Sequence, residues 1–114
     1  MKSRIEQLQE FLEEDSNDSF LKYALALEYI RIEKKDAAKN CFLKLVKEDE
    51  NYLASYYQLG KLYESVNELE HAIEIYKKGI KIAKKNEDKK TLIELKESYN
   101  ILMEIDEDEV PLFL

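Results

Sequence analysis

Apolar residues recur along the chain at three- and four-residue spacing, and the stripe they form repeats. Leu25, Tyr29, Phe42 and Leu45 have counterparts 34 residues further on in Leu59, Tyr63, Tyr76 and Gly79. That spacing is the mark of one buried face on each helix of a series. Small residues follow the same step, Ala26 and Gly60 on the first helix of each pair, Ala38 and Ala72 on the second. They predict a close crossing of two backbones, small against small. Gly79 falls in mid-helix, where glycine costs about 1 kcal/mol against alanine and is kept for close approach.

The stripe extends past both pairs. A step of 34 back from Phe42, Leu45 and Val46 reaches Leu8, Phe11 and Leu12, so residues 3–14 behave like the second helix of a pair and cap the front. A shift of 36 brings Leu92, Leu95 and Tyr99 onto Tyr56, Leu59 and Tyr63, which predicts a further first-type helix after a loop two residues longer. Lys96 stands where Gly60 stood and would block a following helix, so this last helix is a solubilising cap. The expected helices are 3–14, 18–32, 36–48, 52–66, 69–84 and 89–106. They form an N-terminal helix, repeat one (18–48), repeat two (52–84) and a cap (89–106), a single domain of residues 1–106 with a tail at 107–114. Asn17 or Asp18, Asp36 and Asn51 are the expected N-caps, and Asn67 the expected left-handed turn residue.

Within this frame, Tyr56-Tyr57-Gln58-Leu59-Gly60-Lys61-Leu62-Tyr63, then Ala72 and Tyr76, spells aromatic-x-x-Leu-Gly-x-x-Tyr followed by Ala-x-x-x-aromatic. The pattern resembles the tetratricopeptide repeat, whose period is also 34 residues. Repeat one departs from it with Lys22 in place of the large aromatic and Glu33 in place of the turn glycine, and Ser16, Glu50 and Lys84 replace the usual proline between repeats. The resemblance covers about residues 3–105. It implies an all-α, right-handed α-α superhelix acting as a non-catalytic protein or peptide interaction module, an adaptor or scaffold. It further implies a concave groove lined by the first helices. Carried over by position, the groove residues are Phe20, Tyr23, Leu27, Ile30 and Arg31 in repeat one; Ala54, Tyr57, Lys61, Glu64 and Ser65 in repeat two; and Ile93, Glu97 and Asn100 in the cap. One branch of the family clamps a peptide's terminal carboxylate with Lys and Asn. The matching positions here are Tyr23, Leu27 and Gln58, so that clamp is not expected, and a bound peptide should be apolar or held through Lys61 and Arg31.

Composition narrows the chemistry. Two glycines and one proline cannot supply a glycine-rich phosphate cradle or the turns of a sheet protein. A net charge of -7 disfavours nucleic acid and anionic membranes. Cys41 is the only cysteine and His71 the only histidine, which leaves no disulfide and no thiolate metal cluster. No apolar signal or anchor opens the sequence, so a cytoplasmic location is expected. No nucleophile and base, carboxylate pair or metal set assembles, so neither catalysis nor a cofactor is expected. His71 reads as a solvated surface residue, Cys41 as a structural thiol beside Phe42, and Glu68, Glu70 and Glu74 as early-helix carboxylates that favour the dipole.

Charge is nonetheless segregated. Residues 77–90 carry seven lysines against Glu87 and Asp88, while residues 104–109 carry five carboxylates and no base. The acidic run leads into Val110-Pro111-Leu112-Phe113-Leu114, an apolar end that Pro111 forces out of the helix. Two alternatives to peptide binding follow: homo-oligomeric self-assembly through this tail, docked on its own or a neighbouring chain's tyrosine-lined groove, and anionic-ligand or nucleic-acid binding through the lysine run.

Overall fold

The computed structural model describes residues 1–109, and side-chain surroundings as far as Ile105. Six helices follow one another: α1 (Arg4–Glu14), α2 (Ser19–Arg31), α3 (Lys35–Glu48), α4 (Ala54–Ser65), α5 (Leu69–Lys85) and α6 (Lys89–Glu109). No strand occurs among the described residues. The chain divides into a first unit, Met1–Ser55, and a second from Tyr56 onward, the boundary falling in the first turn of α4.

In the first unit, α1 begins on a Ser3–Glu6 capping box: the Ser3 hydroxyl accepts from the Glu6 N–H at 3.1 Å, and the Glu6 carboxylate accepts from the Ser3 N–H at 3.4 Å. Leu8 is its buried residue. Phe11, expected in the same stripe, is 51% exposed. Asp18 caps α2 by accepting from the Leu21 N–H at 3.0 Å. α2 and α3 run antiparallel, with the Ser19 hydroxyl donating to Asp49 at 2.6 Å and Lys22 paired with Glu48 at 3.5 Å. Ala26, Ala38, Phe42 and Leu45 are fully buried.

In the second unit, Gly60 of α4 lies on the ring of Tyr76 in α5. A Cβ on Gly60 would stand 2.1 Å from that ring. The close crossing is therefore small against aromatic, not small against small: the missing side chain makes room for a buried phenol. Gly79 of α5 lies against Tyr56 and Leu95, where a Cβ would meet their side chains at 2.8 and 3.0 Å. Tyr56, Leu59, Tyr76, Ala83 and Leu95 are fully buried. Leu95, Ser98 and Leu102 form the buried stripe of α6, so α6 meets its neighbours at i, i+3 and i+7.

Three connections share one geometry. Residues 33, 67 and 87 take left-handed conformations, with φ of 62°, 59° and 57°. At each, the turn N–H donates three residues back and the next N–H five residues back. The pairs are Glu33 to Ile30 (2.9 Å) and Lys34 to Tyr29 (2.8 Å), Asn67 to Glu64 (3.0 Å) and Glu68 to Tyr63 (2.9 Å), and Glu87 to Lys84 (3.2 Å) and Asp88 to Ala83 (3.0 Å). This is the Schellman pattern.

Three expectations are corrected. Asp36 lies within the first turn of α3, whose cap position is Lys34 with no side-chain bond, and α4 begins at Ala54, three residues beyond Asn51. The α5–α6 loop is not lengthened. α5 has 17 residues against 14 in α3, and the extra turn of helix replaces the loop. α6 continues through Glu109 rather than stopping near 106, since nothing before Pro111 opposes helix. The apolar residues Val110–Leu114 of the expected tail lie outside the described residues.

Candidate functional site

In the second unit, α4 and α6 flank a cleft of about 440 Å³ lined by Tyr57, Lys61, Glu94, Glu97, Ser98 and Ile101. Tyr57 and Lys61 are one helical turn apart, so both project from the same face of α4. The Lys61 ammonium lies 5.3 Å from the centre of the Tyr57 ring, within cation–π range, and 3.5 Å from Glu64. The cleft thus joins an aromatic surface and the 55% exposed Ile101 to one cation and two carboxylates.

Of the expected groove residues in this unit, the structure brings Tyr57, Lys61 and Glu97 to one cleft. Ile93 is 57% exposed on α6 and does not line it. Glu64 is turned to its own unit, accepting from the Tyr76 hydroxyl as well as pairing with Lys61. Ser65 donates back to the Leu62 carbonyl at 2.6 Å. Glu94, Ser98 and Ile101 were not singled out from the sequence. Their signal was the three- and four-residue spacing around Glu97.

In the first unit, the five expected residues of repeat one sit on α2, and Ala54 is exposed at the start of α4. Phe20 is 63% exposed, whereas Tyr23, Leu27 and Ile30 are half-buried. Tyr23 packs edge-on against Phe42 (6.0 Å between ring centres) and lies 5.5 Å from Tyr52, so much of its ring serves packing within the unit. Arg31 is held by Glu28, at 2.7 Å through Nε, and this pairing raises the guanidinium pKa while lowering that of the carboxylate.

The remaining reactive side chains are quiet. His71 is exposed, stacked on Tyr63 at 5.2 Å and 3.7 Å from Glu68. Cys41 is half-buried, and burial pushes its thiol pKa up, which disfavours the nucleophilic thiolate. Among the described residues no group of three His, Cys, Asp or Glu side chains could hold a metal ion, and no helix is long and apolar enough to cross a membrane.

The family model of the tetratricopeptide repeat matches residues 21–52 and 53–86, more than half of the chain. Among solved structures, a tetratricopeptide repeat domain protein from Salinibacter ruber is 36% identical, with a TM-score of 0.74 over 77% of this chain and 89% of that one. A Bordetella parapertussis protein aligns at TM-score 0.81 and 23% identity over 96% of this chain and 95% of its own. The TPR2B domain of yeast Sti1, solved in complex with pHsp70, aligns at TM-score 0.79 and 14% identity over 88% of this chain and 80% of its own. No curated protein sequence matches. Two adjacent repeat matches, which share the 34-residue step and the helix pairs described above, make this chain a member of the tetratricopeptide repeat family, whose domains serve generally as non-catalytic protein–protein interaction modules.

Proposed function

We propose that the chain binds a protein or peptide segment in the α4–α6 cleft. The observation that carries this reading is the grouping of Tyr57, Lys61, Glu94, Glu97 and Ile101 around one opening, on helices whose own cores are filled. An apolar side chain of the partner fits against Tyr57 and Ile101, and a neighbouring Lys or Arg fits against Glu94 and Glu97. Because the anchors ride on packed helices, little ordering cost falls due on binding. The complex of yeast Sti1 with pHsp70 supports a peptide-type partner for this fold. The absence of Lys and Asn at Tyr23, Leu27 and Gln58 argues against a terminal-carboxylate clamp. On α2, the exposed Phe20 and Arg31, with Tyr23, Leu27 and Ile30, form a separate candidate surface of the first unit.

Peptides selected from a random library against the wild-type chain test the reading. Their affinity, measured by calorimetry, should fall by about tenfold or more in Tyr57→Ala and Ile101→Ala, with unchanged circular dichroism. Equal affinity in both variants would exclude the cleft.

A further inference from the structure

A second, strongly charged groove of about 670 Å³ runs between α5 and α6. Lys77, Lys81 and Lys84 stand along its α5 side and Lys96 on its α6 side, while the half-buried Ile80 and Tyr99 contribute apolar surface. Among the described residues no carboxylate lines it, and none of these four ammonium groups has an ion-pair partner. In a chain of net charge -7, such a patch marks a place for an anion.

The chain itself carries the complement. Residues 104–109 hold five carboxylates and are followed by Val110-Pro111-Leu112-Phe113-Leu114, acidic and then apolar, as the groove is cationic with an apolar part. The carboxylates gather at the C-terminal end of α6, where the helix dipole is already negative, so a cation brought from outside relieves them. Glu107 and Lys96 ride on one continuous helix, roughly 16 Å apart along its axis at 1.5 Å per residue.

We propose that this groove receives the acidic C-terminal segment, residues 104–114, of a second copy of the chain. The carboxylates meet Lys77, Lys81, Lys84 and Lys96, and the apolar residues cover Ile80 and Tyr99. Because α6 carries both a groove wall and the acidic run, one two-fold operation satisfies both copies and closes the pair. The surface is separate from the α4–α6 cleft, so either assignment stands without the other.

Sedimentation velocity on the full chain tests it. The wild type should form a dimer with rising concentration, and added salt should weaken that dimer. Lys81→Glu with Lys84→Glu should weaken it about tenfold or more, as should Asp106→Lys, Glu107→Lys and Asp108→Lys together. Mixing these two charge-reversed chains should restore a heterodimer, since each then presents what the other lacks; that rescue also shows both to be folded. A wild type that stays monomeric at every concentration overturns the proposal. So does a dimer untouched by either reversal, or a mixture that yields no heterodimer.

Discussion

At the scale of single residues, Tyr76 organises the second unit. Its ring fills the space left by Gly60, and its hydroxyl donates to Glu64. Gly60→Ala brings a methyl into that ring, and the helix-propensity gain does not offset the overpacking; a loss of about 1 to 3 kcal/mol is expected in denaturant unfolding. Gly79→Ala should cost less, because its nearest approach, 2.8 Å to the Tyr56 Cβ, is a milder overlap than the 2.1 Å at Gly60. Burial first, then the hydrogen bond to Glu64 and its charge, raise the Tyr76 pKa above its ordinary value near 10. The unfolded chain therefore ionises this phenol before the folded chain does. Its contribution is fully present below pH 10 and is lost as pH rises above it. Tyr76→Phe should cost about 1 kcal/mol at neutral pH and flatten the alkaline fall in melting temperature; an unchanged alkaline slope would reject the assignment. The sequence showed that Gly60 and Tyr76 belong to one seam, since both lie on the 34-residue step. It did not show that they meet each other, because helical spacing gives the face of a residue but not its opposite number.

At the scale of elements, the three Schellman turns set where the helices on either side stop and start. Glu33, Asn67 and Glu87 hold left-handed backbone without being glycine, at a cost of roughly 1 to 2 kcal/mol for an ordinary side chain. Glu33→Gly and Glu87→Gly should each stabilise the chain, by about 0.5 to 1 kcal/mol, and Asn67→Gly by less, because asparagine tolerates the conformation; thermal unfolding of the three variants would show the order. Asn67 was legible as a turn residue for that reason, whereas Glu87 offered no side-chain cue. The α5–α6 connection is shorter than the 36-residue shift predicts, because Lys84 and Lys85 favour helix and carry α5 on through the expected loop. Asp36 has capping chemistry, yet the cap of a helix is fixed by where the preceding turn releases the chain. Asp18 and the Ser3–Glu6 box show the same chemistry in the right place.

At the scale of the whole molecule, the repeat architecture was the most legible property of all, since period, small residues and aromatic positions agree over two adjacent matches. The binding surfaces were less so. Tyr57 and Lys61 could be placed on one face by spacing, but the contributions of Glu94, Ser98 and Ile101 depend on how α6 lies against α4, which no local pattern encodes. Charge is the other global property. A chain of net -7 repels itself, and its exposed pairs, such as Lys2–Glu10 at 2.5 Å, contribute little. In dilute solution at neutral pH, moderate salt should therefore raise the melting temperature by a few degrees; a fall would mean that the ion pairs outweigh the repulsion.

Within each unit most of the contacts named above join helices consecutive in the chain, and three of the connections between helices are only three residues long. Ordering therefore proceeds through short-range encounters, with little loop-closure entropy to overcome before contacts form. Such a chain belongs among the fast folders, acquiring its structure in microseconds to milliseconds, and within a unit a helix can dock on its predecessor as soon as it emerges during synthesis.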